Sequence, residues 1–166
     1  MQSGKRTKAA SRKVRHDVMK EEQRIPPWWL RPIAAVTAAV AGNFIIAHIP
    51  WPAWMLEGYM QSAAPELGRD FRFLLMTLVL APLLEEGIFR WGIFARLRSR
   101  ISFWPAAVFS SLAFGLYHGN WIQGIYACFL GTVLAWCYDS SPRYKYLTAV
   151  TMHCLANLSA LAVFGY

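Results

Sequence analysis

The feature that most constrains this chain is a series of long apolar runs separated by short polar links. A helix needs roughly 20 mostly apolar residues to cross a bilayer, because lipid offers nothing to hydrogen-bond an open backbone. Runs that reach or approach that length occupy residues 30–49, 71–94, 103–117, 121–138 and 146–164. They predict an all-α fold, a polytopic membrane helix bundle of about five transmembrane helices. Composition agrees: 56% of the 166 residues are hydrophobic and 16% charged, against about 25% charged in soluble domains. The link His118–Gly119–Asn120 is short enough to make its two flanking helices an antiparallel pair. There is no internal repeat and no low-complexity segment.

The formal net charge of +8 could point to nucleic acid, but its distribution argues against that. Lys5, Arg6, Lys8, Arg12, Lys13, Arg15, Lys20, Arg24 and Arg31 all precede Pro32, and no aromatic-interleaved basic patch follows. The expected division is a basic cytoplasmic tail over residues 1–27 and a membrane domain over 28–166. Pro26 and Pro27 close the tail, and Trp28 and Trp29 suit the membrane interface. Arg96, Arg98, Arg100, Arg143 and Lys145 crowd two further links, and in a five-span arrangement these fall on the side of the tail. The positive-inside rule then puts the N-terminus of a multi-pass cell-membrane protein in the cytoplasm. Cys128, Cys137 and Cys154 lie in apolar stretches without a CxxC and read as buried free thiols. The first apolar run is a full span rather than the short core of a cleavable signal.

Charge inside a spanning helix costs at least about 2.5–3.5 kcal/mol per group, so it marks function or pairing. The second run carries Glu85, Glu86 and Arg90. Glu86 and Arg90 are spaced i, i+4 and can pair on one face, while Glu85 is turned by about 100° towards another neighbour. The third run ends in Phe114 and His118, and the fifth carries His153 and Asn157, again one turn apart. At about 1.5 Å per residue, Glu85 lies roughly 14 Å, His118 roughly 22 Å and His153 roughly 10 Å from the cytoplasmic ends of their helices. Tilts of about 20° let them meet within the membrane, in a polar intramembrane cavity. Gly119 and Gly124 allow the chain to bend and bring His118 inward.

A carboxylate, two imidazoles and an amide suggest hydrolysis. Glu85 with His118 can hold and deprotonate a water. His153 and Asn157 can donate hydrogen bonds to the oxyanion that forms when water attacks an amide carbonyl. The chain has neither a nucleophile-elbow serine nor an HExxH zinc motif.

EExxxR at Glu85–Arg90, FxxxH at Phe114–His118 and HxxxN at His153–Asn157, in this order on successive spans, resemble the CPBP family. These are the CAAX prenyl protease and bacteriocin-processing intramembrane proteases, also called the Abi family. The stretches SSLAFGLYHGN and GTVLAW are similar to bacterial members, and the resemblance covers about residues 71–160. It implies a glutamic-type intramembrane endopeptidase without a cofactor. Glu85, His118, His153 and Asn157 would be catalytic, and Glu86 and Arg90 would support the cavity. The implied substrate is a membrane-associated peptide or protein: a CAAX-like tail, a bacteriocin leader or a C-terminal sorting signal. Only one span precedes the first motif, which leaves room for a homo-oligomer. Three alternatives stand beside this reading. A zinc-dependent protease would use Glu85, His118 and His153 as ligands with water as the fourth. An immunity or scaffold protein would keep the fold without catalysis. A proton relay would use the same buried groups for transport.

Overall fold

In a computed structural model the described residues are 26–62 and 70–164, and they form six helices with no strand among them. Of the basic tail, only Pro26 and Pro27 fall within the described residues. Helix α1 (Leu30–His48) tolerates Pro32 in its first turn, where a backbone N–H would have no helical partner anyway. At its far end the indole of Trp51 donates to the carbonyl of Ile46 at 2.8 Å, adding to the longer 3.4 Å bond that carbonyl accepts from the N–H of Ile49. The link expected to lie in the interface holds a short helix, α2 (Ala53–Ser62).

Residues 71–98 run as one helical segment, α3, started by Asp70, whose carboxylate accepts from the backbone N–H of Phe73 at 2.9 Å. Its hydrogen bonding is irregular. Two π-helical stretches, Met76–Leu80 and Gly87–Phe94, flank the α-helical turn Ala81–Glu86. Pro82 gives one cause: it lacks an N–H, so the ladder cannot stay regular there. Irregular turns of this kind often mark functional sites, and here the two glutamates sit between them.

Helix α4 (Phe103–Tyr117) turns back into α5 (Trp121–Asp139) through Gly119, whose φ of +72° only glycine adopts readily. Asn120 caps α5, its side chain accepting from the N–H of Gln123 at 2.8 Å. The two helices touch at backbone level. A Cβ on Gly115 would lie 2.6 Å from the carbonyl oxygen of Gly124. Gly124 therefore helps to draw α4 and α5 together, while the bend itself is made at Gly119. Helix α6 (Lys145–Phe164) completes the bundle.

The core is built from small residues. Ala35, Ala38 and Ala39 of α1 pack on Leu130, Leu134 and Cys137 of α5 and on Met152 and Ala156 of α6. Phe94 of α3 fills a second cluster with Ala106, Ala107, Ala135, Tyr138 and Ala149. Close packing by alanine suits helices in lipid, where no hydrophobic drive pushes them together and contact must come from shape. The outside is as apolar as the inside: Leu84, Phe109, Trp104 and Leu116 are 67%, 62%, 68% and 76% exposed. In water such a surface would aggregate. Facing lipid it costs nothing.

Among the described residues, α1, α5 and α6 are each long and apolar enough to cross a membrane. The segments expected as the second and third spans are helical, as α3 and α4, but fall outside that set. With 15 residues, α4 is shorter than the others and rises only about 22 Å. The interior of α3 carries charge.

Candidate active site

The charged face of α3 meets α6 in the middle of the bundle. Glu86 and Arg90 are both fully buried, with Glu86 Oε2 3.2 Å from Arg90 Nε. The guanidinium carbon lies 4.4 Å from the centre of the Phe114 ring, a cation–π contact that is stronger out of water. The planar head fits against α5 where Gly131 has no side chain, since a Cβ there would lie 2.9 Å from Arg90 Nη2.

His153 of α6 is also buried, and its ring bridges the two glutamates. Nδ1 lies 2.9 Å from Glu86 Oε1, and Nε2 lies 3.7 Å from Glu85 Oε2. Consecutive residues on a helix point about 100° apart, so one imidazole entering from α6 can reach both carboxylates. Glu86 thus has a charged partner at one oxygen, the ion pair with Arg90, and a hydrogen bond at the other, with His153; the Arg90 contact lacks hydrogen-bond geometry. The carboxylate of Glu85 is freer, 14% exposed, with only the longer approach to His153.

His118 sits at the C-terminal end of α4, half-buried. Its Nδ1 lies 2.9 Å from the carbonyl oxygen of Phe114. A carbonyl can only accept, so Nδ1 carries the proton and Nε2 is the open atom of this ring. Among the described residues no hydrogen bond joins His118 directly to Glu85; the two are linked through the rings of Phe114 and His153. The Phe114 ring ties the site together, with centroids 4.8 Å from the ring of His118, 5.8 Å from that of His153 and 5.1 Å from that of Phe89.

Asn157, one turn beyond His153, donates from Nδ2 to the carbonyl oxygen of Thr77 at 2.9 Å. One amide proton is committed to that bond, and the amide keeps a second. Next to the glutamates, the hydroxyl of Tyr146 donates to the carbonyl of Leu83 at 2.8 Å. An open apolar groove runs along the outer face of α3, lined by Leu83, Leu84, Gly87, Ile88, Trp91 and Tyr146.

The structure therefore brings Glu85, Glu86, Arg90 and His153 into one contact network, with His118 and Asn157 at its edges. The Glu86–Arg90 pair expected from spacing is present. The bond from His153 to Glu86 was not legible from spacing, nor were the Thr77 carbonyl, the Tyr146 hydroxyl and the notch at Gly131. Only Pro82, an imino acid within an apolar span, signalled an open carbonyl upstream. Among the described residues no three His, Cys, Asp or Glu side chains are grouped to hold a metal ion.

A family model described as Rce1-like, type II CAAX prenyl endopeptidase, matches residues 68–159. No curated protein and no solved structure matches the chain significantly.

Proposed function

The chain belongs to the Rce1-like type II CAAX prenyl endopeptidase family, and on that premise we propose that it hydrolyses a peptide bond of a membrane-associated peptide or protein with a water activated by Glu85 and His118. Membership makes it an intramembrane endopeptidase of the CAAX type and a membrane protein. The observation that carries the finer reading is the approach of Glu85 to His153, 3.7 Å between Oε2 and Nε2, beside a Glu86 held by the Arg90 ion pair and the His153 hydrogen bond. Of the two carboxylates, only Glu85 is free to take a proton.

In this reading Glu85 accepts a proton from the attacking water, and His118 Nε2 holds that water in line. The oxygen of the scissile carbonyl gains charge as the water adds. The uncommitted N–H of Asn157 serves it as a donor, and His153 joins as a second donor once its Nε2 carries a proton. In a dry site such donors act more strongly than in water, because no solvent must reorganise. The apolar groove on α3 supports a substrate that approaches through lipid: a prenylated CAAX-like tail, a bacteriocin leader or a hydrophobic sorting helix.

The test is cleavage by the purified full chain in detergent or liposomes. Two substrates serve: a farnesylated CAAX-type peptide, and an unprenylated peptide with a hydrophobic C-terminal helix. Glu85→Gln keeps size and hydrogen bonding but removes basicity, and is expected to abolish turnover while the protein accumulates normally. Full cleavage by this variant at wild-type abundance would overturn the reading.

A further inference from the structure

We infer that Glu86 is a positioning residue for proton transfer: it holds His153 as the Nδ1–H tautomer, so that His153 Nε2 receives the proton Glu85 takes from water. This rests on the endopeptidase reading above and gives Glu86 a part that its pairing with Arg90 alone does not.

The argument starts from which atoms can donate. Arg90 has only donors and stays charged. Its Nε lies 3.2 Å from Glu86 Oε2 in an ion pair, and a buried cation at that distance keeps the Glu86 carboxylate ionised. The other oxygen, Oε1, lies 2.9 Å from His153 Nδ1. An ionised carboxylate can only accept, so Nδ1 must carry a proton. In the neutral imidazole that leaves Nε2 as a bare lone pair, directed at Glu85 Oε2 3.7 Å away. A carboxylate on the far nitrogen of a histidine fixes both its tautomer and its ring orientation. The logic is that of a buried acid orienting a catalytic imidazole. Phe114 confines the ring from the side, its centroid 5.8 Å away and nearly perpendicular.

The proton path then closes. Water gives a proton to Glu85, and its oxygen forms the bond to the carbonyl carbon. The proton passes from Glu85 to His153 Nε2, and the imidazolium, now a donor on that side, faces the oxyanion. When the C–N bond breaks, the same proton goes to the leaving nitrogen. The products are a carboxyl and an amine, and His153 returns to its Nδ1–H form.

Glu86→Gln makes a specific demand on this arrangement. Its amide oxygen must face Arg90, which only donates, so its NH2 faces His153 Nδ1. Nδ1 must then accept, and the neutral ring switches to the Nε2–H tautomer. The experiment records 15N spectra of ring-labelled histidine in the full chain, in detergent or nanodiscs at neutral pH, with His153→Ala as the assignment control. Cleavage of the farnesylated CAAX-type peptide is measured in parallel. Wild type should show the proton on Nδ1 of His153, and Glu86→Gln should show it on Nε2. The variant's kcat should fall about 100- to 10,000-fold while KM changes less than threefold. Glu86→Asp, which keeps the carboxylate, should retain the wild-type tautomer and recover at least tenfold over the Gln variant. A wild-type ring protonated on Nε2, or on both nitrogens, overturns the inference whether or not any variant accumulates. So does a Glu86→Gln tautomer unchanged from wild type, or a kcat within threefold of wild type after the switch. If the wild type cleaves neither peptide, the endopeptidase reading fails, and the spectra still decide how Glu86 holds His153.

Discussion

The side-chain amide of Asn157 on α6 donates to the main-chain carbonyl of Thr77 on α3 at 2.9 Å. Thr77 needs that donor because of a residue five positions on. In the π-helical stretch the N–H of Ala81 goes to Met76, and the next donor in that register would be residue 82, which is proline. Asn157 thus completes the backbone of a neighbouring helix. Replacing it by leucine is expected to cost about 1–3 kcal/mol, the penalty for a half-buried carbonyl left without a donor or water. In a Pro82→Ala background the new N–H at position 82 can serve Thr77, so the same replacement should cost about 1 kcal/mol less. A double-mutant cycle of thermal stability in detergent measures this coupling. Additive effects would show that Pro82 and Asn157 do not share the Thr77 carbonyl. Cleavage should separate the two parts played by Asn157: its loss should slow turnover about 100- to 1,000-fold in either background.

Gly131 on α5 is a second test of the packing. A Cβ there would stand 2.9 Å from Arg90 Nη2, 3.1 Å from Ser111 Oγ and 3.2 Å from the Phe114 ring. All three neighbours are buried, and the guanidinium cannot retreat without loosening its bond to Glu86. Gly131→Ala is expected to lower stability by about 1–3 kcal/mol through overpacking and to reduce cleavage by shifting Glu86 and His153. Wild-type melting and turnover would show that the Arg90 site has slack. Gly58, where an added Cβ meets nothing within 4 Å, is the control.

Metal dependence is decided by removal. If Glu85 and His118 activate the water without an ion, as proposed above, cleavage stays within twofold after EDTA or 1,10-phenanthroline treatment and dialysis. Loss of activity that zinc alone restores would mean that these side chains rearrange around an ion, and the water would then be metal-activated.

Much of this fold was legible because lipid makes rules that water does not. Runs long enough to span, ended by Pro, Gly or charge, located α1, α5 and α6 to within a residue or two. The Glu86–Arg90 pair followed from spacing alone. What sequence could not give was which helix stands against which. His153 reaches Glu86 only because α6 packs on α3, and no spacing within either helix encodes that. The π-helical stretches of α3 were invisible for a related reason. Apolar residues fit an α- or a π-turn equally well, and the choice is made by Pro82 and by partners on another helix. Asn157 read simply as a donor to substrate, since nothing nearby in sequence claims it.

Orientation is the last expectation, and the bundle lends it support. Arg98 pairs with Asp139 at 3.1 Å, and Lys145 Nζ donates to the carbonyl of Asp139 at 3.3 Å. Arg31 hydrogen-bonds both the hydroxyl and the carbonyl of Ser140. These contacts gather the start of α1, the α3–α4 turn and the α5–α6 turn at one end, with Arg96, Arg100 and Arg143 exposed beside them. The turn at the opposite end of α4 and α5, His118–Gly119–Asn120, carries no Lys or Arg. Basic residues resist translocation, so the crowded end should face the cytoplasm. A reporter active only outside the cytoplasm should work when fused after Tyr166 and stay silent when inserted between Arg98 and Arg100. The reverse pattern would invert the orientation, and equal signals at both sites would mean that these ends lie on the same side of the membrane. Replacing Arg96, Arg98 and Arg100 with neutral residues should weaken the bias without reversing it, because the basic tail, Arg31, Arg143 and Lys145 still hold that side.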